Sequence, residues 1–225
     1  MKSEFIRSVP LFASLSDEEF KRIQHILLVR RYSKGQVIFQ EQDTGNYMYV
    51  VLAGKLKVTK SDGSGRESIL AIHQAGDFFG EMSLLDGKTS PATVSAREDC
   101  KIATISKADF FNHLMKNEKV VQQIIRVLCR RLRQGWGRLH MLSHGSAEVR
   151  ICEGLLSLSR RYGLQDGGSI LINVKFTHQE LAEMAGTSRE TVTRTLTRLQ
   201  KKGLLKVDHD GHLVLVDPKS LSLVS

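Results

Sequence analysis

The hydrophobic and polar positions change rhythm along the chain. Residues 14–27, SLSDEEFKRIQHIL, place apolar side chains at Phe20, Ile23, Ile26 and Leu27, and set Ser16 three residues before Glu19. That spacing predicts a short helix opened by a capping box. From Gly35 the helical period gives way to short β-rich runs: QVIFQ, YMYVVLA, KLKVTK, SILAI, ATVSA and KIATIS. Turn residues separate them at Lys34-Gly35, Thr44-Gly45-Asn46, Ala53-Gly54, Asp62-Gly63-Ser64-Gly65 and Ala75-Gly76-Asp77. Strands at this spacing predict an antiparallel barrel or double-sheet roll over residues 20–105.

Residues 108–143 contain no proline and carry Val121, Ile125, Leu128, Leu132, Gly135, Leu139 and Leu142 at alternating steps of four and three. This is the seam spacing of a two-stranded coiled coil, so one long helix pairing with a second copy is expected. Gly135 and Gly137 flank Trp136 within it and suggest a close helix approach or a hinge. A helix (EVRICEGLLSLSRRYG) and a strand (SILINVKF) follow. Next, THQELAEMAG opens with Thr177 and Glu180 in capping-box spacing and ends at a glycine suited to a helix C-terminus. Thr187-Ser188 then starts RETVTRTLTRLQKKG, with Val192, Leu196 and Leu199 on its inner face. Two short helices around a tight turn are a helix-turn-helix, and LLKVDHDGHLVLVD adds a hairpin around His209-Asp210-Gly211. The predicted class is α+β: an N-terminal antiparallel jelly roll (1–107), a long dimerisation helix (108–143) and a C-terminal winged helix-turn-helix domain (144–225).

Charge sharpens this division. Residues 1–125 carry 17 Lys and Arg against 15 Asp and Glu, whereas residues 126–225 carry 16 against 9. A basic part beside a nearly neutral one points to a polyanion-binding module joined to something else. The 41% hydrophobic and 25% charged content is ordinary for a globular chain. No run approaches the length of a signal peptide core or a membrane span, so a cytoplasmic protein is expected. Cys100, Cys129 and Cys152 match neither a disulfide framework nor a metal-binding spacing and are expected to be reduced, buried thiols.

On the second helix of the helix-turn-helix, Arg189, Glu190, Thr193 and Arg194 occupy the first two turns, the part such a helix lays against base edges. Arginine grips guanine O6 and N7, and glutamate accepts from cytosine N4. Thr177, His178, Gln179, Thr187, Ser188 and Thr191 offer donors to phosphates, and Lys201 adds charge. An Arg-Glu-x-x-x-Arg face is also ordinary on a solvated helix. Its setting between a capped helix, a tight turn and a wing, in the basic part of the chain, selects the DNA reading.

The order of VPLFASLSDEEF, the glycine rhythm of the strands, GDFFGEMSLL, the long helix and TSRETVTRTLTRLQKKGLL resembles the cyclic-AMP receptor / fumarate-nitrate reduction regulator (CRP/FNR) family of bacterial transcription factors over nearly the whole chain. The resemblance implies a cyclic-nucleotide-binding-type jelly roll, a homodimer through the long helix, and a winged helix on double-stranded DNA. RNA polymerase is a further partner if the protein is an activator. Arg189, Glu190 and Arg194 match the pattern that reads palindromic TGTGA-like half-sites, while Thr193 departs from the usual glycine toward the fumarate-nitrate branch.

The resemblance also places an effector pocket at Gly80, Glu81, Met82, Ser83, Ser90, Pro91, Ala92 and Trp136. Gly80 and Glu81 keep the ribose-side pair of the nucleotide binders. The phosphate-binding arginine is replaced by Ser90, and Pro91 follows it. Serine has no charge and proline has no N–H to donate, so both phosphate contacts are lost. Lys88 is a point charge without bidentate geometry. Trp136 falls where the receptor offers a Thr-Ser pair to adenine, and an indole crowds that place. No catalytic residue, metal site or certain cofactor is expected. His73, His140 and His144 are the candidate haem ligands, no N-terminal Cys cluster exists for an iron-sulfur centre, and the His-x-His pair of a cupin-type metalloenzyme is lacking. Two effector readings stand: a small molecule other than cyclic AMP, or a cyclic nucleotide held through altered contacts.

Overall fold

The computed structural model describes residues 6–7, 9–62, 67–144 and 146–222, without the side chains of residues 138 and 140–144. The turn residues Gly63, Ser64 and Gly65, and the side chains of Leu142, His140 and His144, therefore lie outside the described residues. The chain forms two compact units that divide between Arg133 and Gln134.

The first unit begins with α1 (Asp17–Gln24), where both halves of the Ser16–Glu19 capping box form. Eight strands follow: β1 (Leu28–Tyr32), β2 (Val37–Phe39), β3 (Tyr47–Ala53), β4 (Lys55–Ser61), β5 (Glu67–Gln74), β6 (Phe78–Phe79), β7 (Thr93–Ala96) and β8 (Cys100–Ser106), with the short α2 (Glu81–Asp86) between β6 and β7. They make two antiparallel four-stranded sheets, ordered β1-β8-β3-β6 and β2-β7-β4-β5. This is the expected double-sheet roll. YMYVVLA buries Met48, Val50 and Val51, and KLKVTK buries Leu56 and Thr59, with a register shift between Val58 and Thr59. One cluster, including Val51, Leu56, Phe79, Val94 and Ile102, forms a core of the strands. A larger one joins Phe12, Phe20, Met48, Ile105, Phe110 and Ile124, and thus fixes α1 and the start of the long helix to the roll.

The region beyond β8 differs from the expectation. A single helical turn, α3 (Lys107–Asp109), runs into a π-helical turn over Phe110–Leu114, and the long helix α4 (Glu118–His144) starts only afterwards. Asn117 explains the restart: its side-chain oxygen accepts from Val120 N at 3.2 Å, the bond of an N-cap. The expected helix over 108–143 is therefore broken at its beginning. At Gly135 and Gly137 it is uninterrupted, and among the described residues a methyl group at either would meet nothing within 4 Å beyond the helix's own backbone.

Glu19 couples α1 to this restart. Its carboxylate accepts from Ser16 N at 2.7 Å, Asn117 Nδ2 at 2.9 Å and Lys119 Nζ at 3.2 Å. The Ser16 amide, followed by Lys119, lowers the Glu19 pKa from 4.5 to about 2. A depressed carboxylate contributes stability above its unfolded value and loses it as pH falls through the folded one. Acid unfolding between pH 4.5 and 2 will accordingly be shallower in Glu19→Gln than in the wild type, as followed by circular dichroism; identical acid limbs would contradict this.

The second unit contains α5 (Ala147–Tyr162), β9 (Gly163–Asp166), β10 (Ser169–Ile172), α6 (His178–Ala185), α7 (Arg189–Lys201), β11 (Leu205–Val207), β12 (Leu213–Leu215) and α8 (Pro218–Ser222). Its strands form one sheet ordered β11-β12-β10-β9. The C-terminal hairpin is as expected, its turn shaped by Asp208, which accepts from Asp210 N at 2.9 Å and His212 N at 2.7 Å. Strand β9 is an addition: Gly167 and Gly168 both have positive φ and turn its exposed residues onto β10. Among the three thiols, Cys100 and Cys152 are buried as expected; Cys129 is exposed because it lies on a solvent face of α4.

Candidate functional site

The helix-turn-helix is built from local capping and then braced from outside. Thr177 and Glu180 complete the capping box of α6, and Gly186 takes the left-handed conformation (φ 59°, ψ 49°) that ends it. Ser188 caps α7 by accepting from Thr191 N. Val192, Leu196 and Leu199 are buried as expected, and Thr195 joins them. Arg150 of α5 was not anticipated: its Nε donates to Ala185 O at 2.8 Å and its Nη2 to Gly186 O at 3.1 Å. It thereby satisfies carbonyls that the end of α6 leaves without helical partners. A second brace is the Arg198–Glu148 ion pair between α7 and α5.

This bracing leaves Arg189, Glu190, Thr193 and Arg194 exposed together on the first two turns of α7. The Glu190 carboxyl is held below the usual carboxylate range by its own backbone N–H and by Ser188, so it is an ionised acceptor at neutral pH. Arg194 Nη2 reaches Thr191 Oγ1 at 3.4 Å. The Thr193 hydroxyl lies 3.0 Å from Arg189 O and 2.8 Å from His178 Nδ1. Of the other expected phosphate partners, Thr177, Gln179, Ser188 and Lys201 are exposed, and Thr187 and Thr191 are half-buried. Gln179 donates within its helix to Glu183 at 3.0 Å.

In the first unit the structure brings Gly80 and Ser90 into one cavity of about 350 Å³. The rings of Phe39, Tyr47 and Tyr49 and the polar Asp43 and Asn46 line it, with no Lys or Arg among the lining residues. Tyr49 stacks on Phe79 at 4.9 Å, and burial pushes its hydroxyl up to about 12. Gly80 has to be glycine: at φ 83° an added Cβ would fall 2.8 Å from Tyr47 O and 2.9 Å from Tyr49 Cδ2. Ser90 is buried and stitched to the facing loop by its own backbone, donating to Asp43 O at 2.9 Å and accepting from Gln42 N at 2.8 Å. The Pro91 carbonyl accepts from Lys60 Nζ at 3.2 Å, and Lys60 is already paired with Glu41 at 2.7 Å.

Of the expected pocket residues of the first unit, Glu81, Met82, Ser83, Pro91 and Ala92 are not among those lining this cavity. Met82 and Pro91 are exposed, and Ser83 and Ala92 are buried. Trp136 is 60% exposed on α4. Glu81 is 1% exposed and does not line the cavity. Its Oε1 accepts from Arg131 Nη1 at 2.7 Å, and Arg131 also donates to Phe78 O and lies over the Phe78 ring at 5.1 Å. Burial raises the Glu81 pKa and Arg131 opposes it. Glu81 Oε2 is buried with no hydrogen-bond partner among the described residues. Arg131 was missed because it lies off the apolar seam, fifty residues from its partner.

Along α4, Val120 and Ile124 are buried in the first unit. Of the expected seam residues, Val121 and Leu128 are half-buried, whereas Ile125, Leu132 and Leu139 are 53%, 54% and 64% exposed.

A roll of two sheets followed by a long helix and a winged helix-turn-helix is the build of a ligand-regulated DNA-binding protein. Comparison with known families agrees: the Cyclic nucleotide-binding domain matches residues 29–117 and the Crp-like helix-turn-helix domain matches residues 149–224. The chain is 34% identical over 202 residues to the Cyclic AMP receptor protein of Thermus thermophilus, covering 90% of each. Its structure is similar to that of a CooA mutant from Carboxydothermus hydrogenoformans, with TM-score 0.82, 25% identity and 97% of each chain covered. It is also similar to the c-di-GMP responsive global regulator CLP of Xanthomonas campestris, with TM-score 0.75, 26% identity, and 89% of this chain and 99% of that one covered. The chain belongs to the CRP/FNR family, and it is a transcriptional regulator with a DNA-binding helix-turn-helix. No described helix is long and apolar enough to cross a membrane.

Proposed function

We propose that this protein is a homodimeric regulator that binds a palindromic TGTGA-like site in the cytoplasm and answers a small effector other than cyclic AMP. The observation that carries the DNA reading is the exposed Arg189, Glu190 and Arg194 on α7, which the Arg198–Glu148 pair ties to α5 and whose preceding turn is held by Arg150. Arg189 and Arg194 grip guanine edges, and the ionised Glu190 accepts from cytosine. Lys201 and the hydroxyls around Ser188 bind phosphates. The dimer reading rests on the exposed Ile125, Leu132 and Leu139 at seam spacing. If the protein activates transcription, RNA polymerase is its further partner.

Substitution separates base reading from phosphate binding. Arg189→Ala and Glu190→Ala will each cost about 1–3 kcal/mol on the cognate duplex and relax sequence preference, whereas Lys201→Ala will weaken all duplexes alike. Equal losses on cognate and shuffled DNA for the first two would defeat the assignment.

On the effector side, the cavity holding Gly80 and Ser90 has aromatic walls and no cation among its described lining residues, while Lys60 is paired with Glu41. A phosphate there would be desolvated without a paired charge, which is unfavourable. An effector without a phosphate group fits these walls. A second reading, a cyclic nucleotide held by altered contacts, is favoured by the 34% identity to a cyclic AMP receptor protein. Isothermal titration with cyclic AMP and cyclic GMP decides between them: micromolar binding of either sinks the first reading, and no heat sinks the second.

A further inference from the structure

Besides the cavity that holds Gly80, the first unit has a second of about 450 Å³, and the two share no described lining residue. It opens between the turn at residues 9–11, the β5–β6 turn and one side of α4. Its volume falls within the roughly 300–1,000 Å³ of small-molecule sites, which combine apolar walls with a few polar groups. Pro10 and Val127 offer the accessible apolar surface, with Phe78 buried behind them. The polar groups are Arg126, Arg130 and Gln123 of α4, and Gln74 and Asp77 of the facing turn. Asp77 is already engaged: its carboxylate accepts from Gln74 N at 2.9 Å and lies 3.8 Å from His73 Nδ1. The two guanidinium groups are not. Among the described residues neither has a hydrogen bond or ion pair, and the side-chain amides of Gln74 and Gln123 have none either.

Arg126 and Arg130 are four positions apart on one helix and are therefore neighbours on its surface. Like charges at this spacing repel each other, and an anion between them removes the repulsion. Each guanidinium presents a planar fork of N–H donors that matches a carboxylate or a phosphate. Their place on α4 also keeps them clear of the proposed seam. At 3.6 residues per turn, Val120, Ile124 and Val127 make the face packed on the first unit. Val121, Ile125 and Leu132 turn to one side of that face, and Gln123, Arg126 and Arg130 to the other. A second copy paired along the seam would leave the two arginines in the cavity.

We propose that this cavity is a second ligand site, for a small organic anion whose carboxylate or phosphate lies between Arg126 and Arg130 and whose hydrocarbon or aromatic part lies against Pro10 and Val127. The site goes beyond the effector reading above. It stands whichever molecule fills the cavity at Gly80, and it does not depend on DNA binding.

The test is an NMR titration of the ¹⁵N-labelled full-length protein, with benzoate as the probe, benzyl alcohol as its neutral counterpart and inorganic phosphate as an anion without an apolar part. Benzoate will shift the amides of Gly76, Asp77 and Arg126 to saturation, and the other two probes will bind more weakly. Arg126→Gln and Arg130→Gln will each weaken benzoate about 2- to 5-fold, the worth of an exposed charge pair, and will reduce its advantage over benzyl alcohol by the same factor. Both side chains are exposed, so these exchanges leave the fold intact. Lys34→Gln, which removes an exposed charge outside the cavity, will bind benzoate as the wild type does. Three results would overturn the proposal: no saturable shift at the cavity with benzoate, benzyl alcohol or phosphate binding as tightly as benzoate, or equal losses in Lys34→Gln and the arginine variants. Shifts confined to Gly80 and Asn46 would put the probe in the other cavity and would overturn it as well.

Discussion

Replacing Arg131 with alanine will destabilise the first unit by about 3 kcal/mol, the lower end of the cost of breaking a buried ion pair. Glu81 is almost wholly buried and Arg131 is partly exposed, which places the effect at that lower end. Without the guanidinium, the Glu81 carboxyl keeps only its own backbone N–H against burial, the largest influence on it, which already raises its pKa. A carboxyl whose folded pKa is raised costs nothing below its unfolded value and becomes increasingly costly as pH rises from there to the folded one. The loss in Arg131→Ala will therefore be small near pH 4 and grow toward pH 7. Glu81→Gln in the same chain will recover most of it. Urea unfolding at several pH values measures all three; an Arg131→Ala protein as stable as the wild type at pH 7 would show that the pair does not hold β6, α2 and α4 together.

Leu132→Glu will have the larger effect on DNA. The side chain is more than half exposed in the single chain, so its exchange costs the fold within about 0.5 kcal/mol. In the proposed seam it would put two carboxylates in an apolar contact. Sedimentation will show a dimer for the wild type and a monomer for the variant at micromolar concentration. Affinity for the palindrome will fall by about 10²–10⁴-fold, because each half-site is then bound independently. An unchanged dimer would move the interface away from this stripe.

Legibility in the sequence followed the range of the interactions. The capping boxes at Ser16–Glu19 and Thr177–Glu180, the Gly186 turn and the Ser188 cap each span a few residues, and all formed as read. Strands such as β3, β4 and β8 were legible because their runs are β-rich and bounded by turn residues. Strand β1 was not, since LVRRY is an edge strand with four exposed residues, held by pairing to β8 seventy-six positions away at Leu28–Thr104. Strand β9 was hidden for the same reason: GLQD is exposed throughout and gains its conformation from β10.

The sites divide in the same way. The exposure of Glu190, Thr193 and Arg194, with Arg189 beside them, could be read from their places in the first two turns of α7. The residues that support a site could not: Arg150 acts across 35 and 36 positions, and Arg131 across 50. A lone arginine inside an amphipathic helix carries no local mark of the carbonyl or carboxylate it will meet. Ser90 and Pro91 show in the sequence that an arginine is replaced, but not that the Ser90 backbone closes onto Gln42 and Asp43, nor that aromatic rings wall the cavity.

The central claim is sequence-specific binding by a dimer. Fluorescence anisotropy at fixed, near-physiological salt, on duplexes carrying inverted TGTGA repeats at a series of spacings and on shuffled controls, tests it most directly. One preferred spacing, two chains per duplex, and affinity at least about 10³-fold above the shuffled DNA are expected. Equal affinity for repeat and shuffled duplexes at every spacing would contradict it.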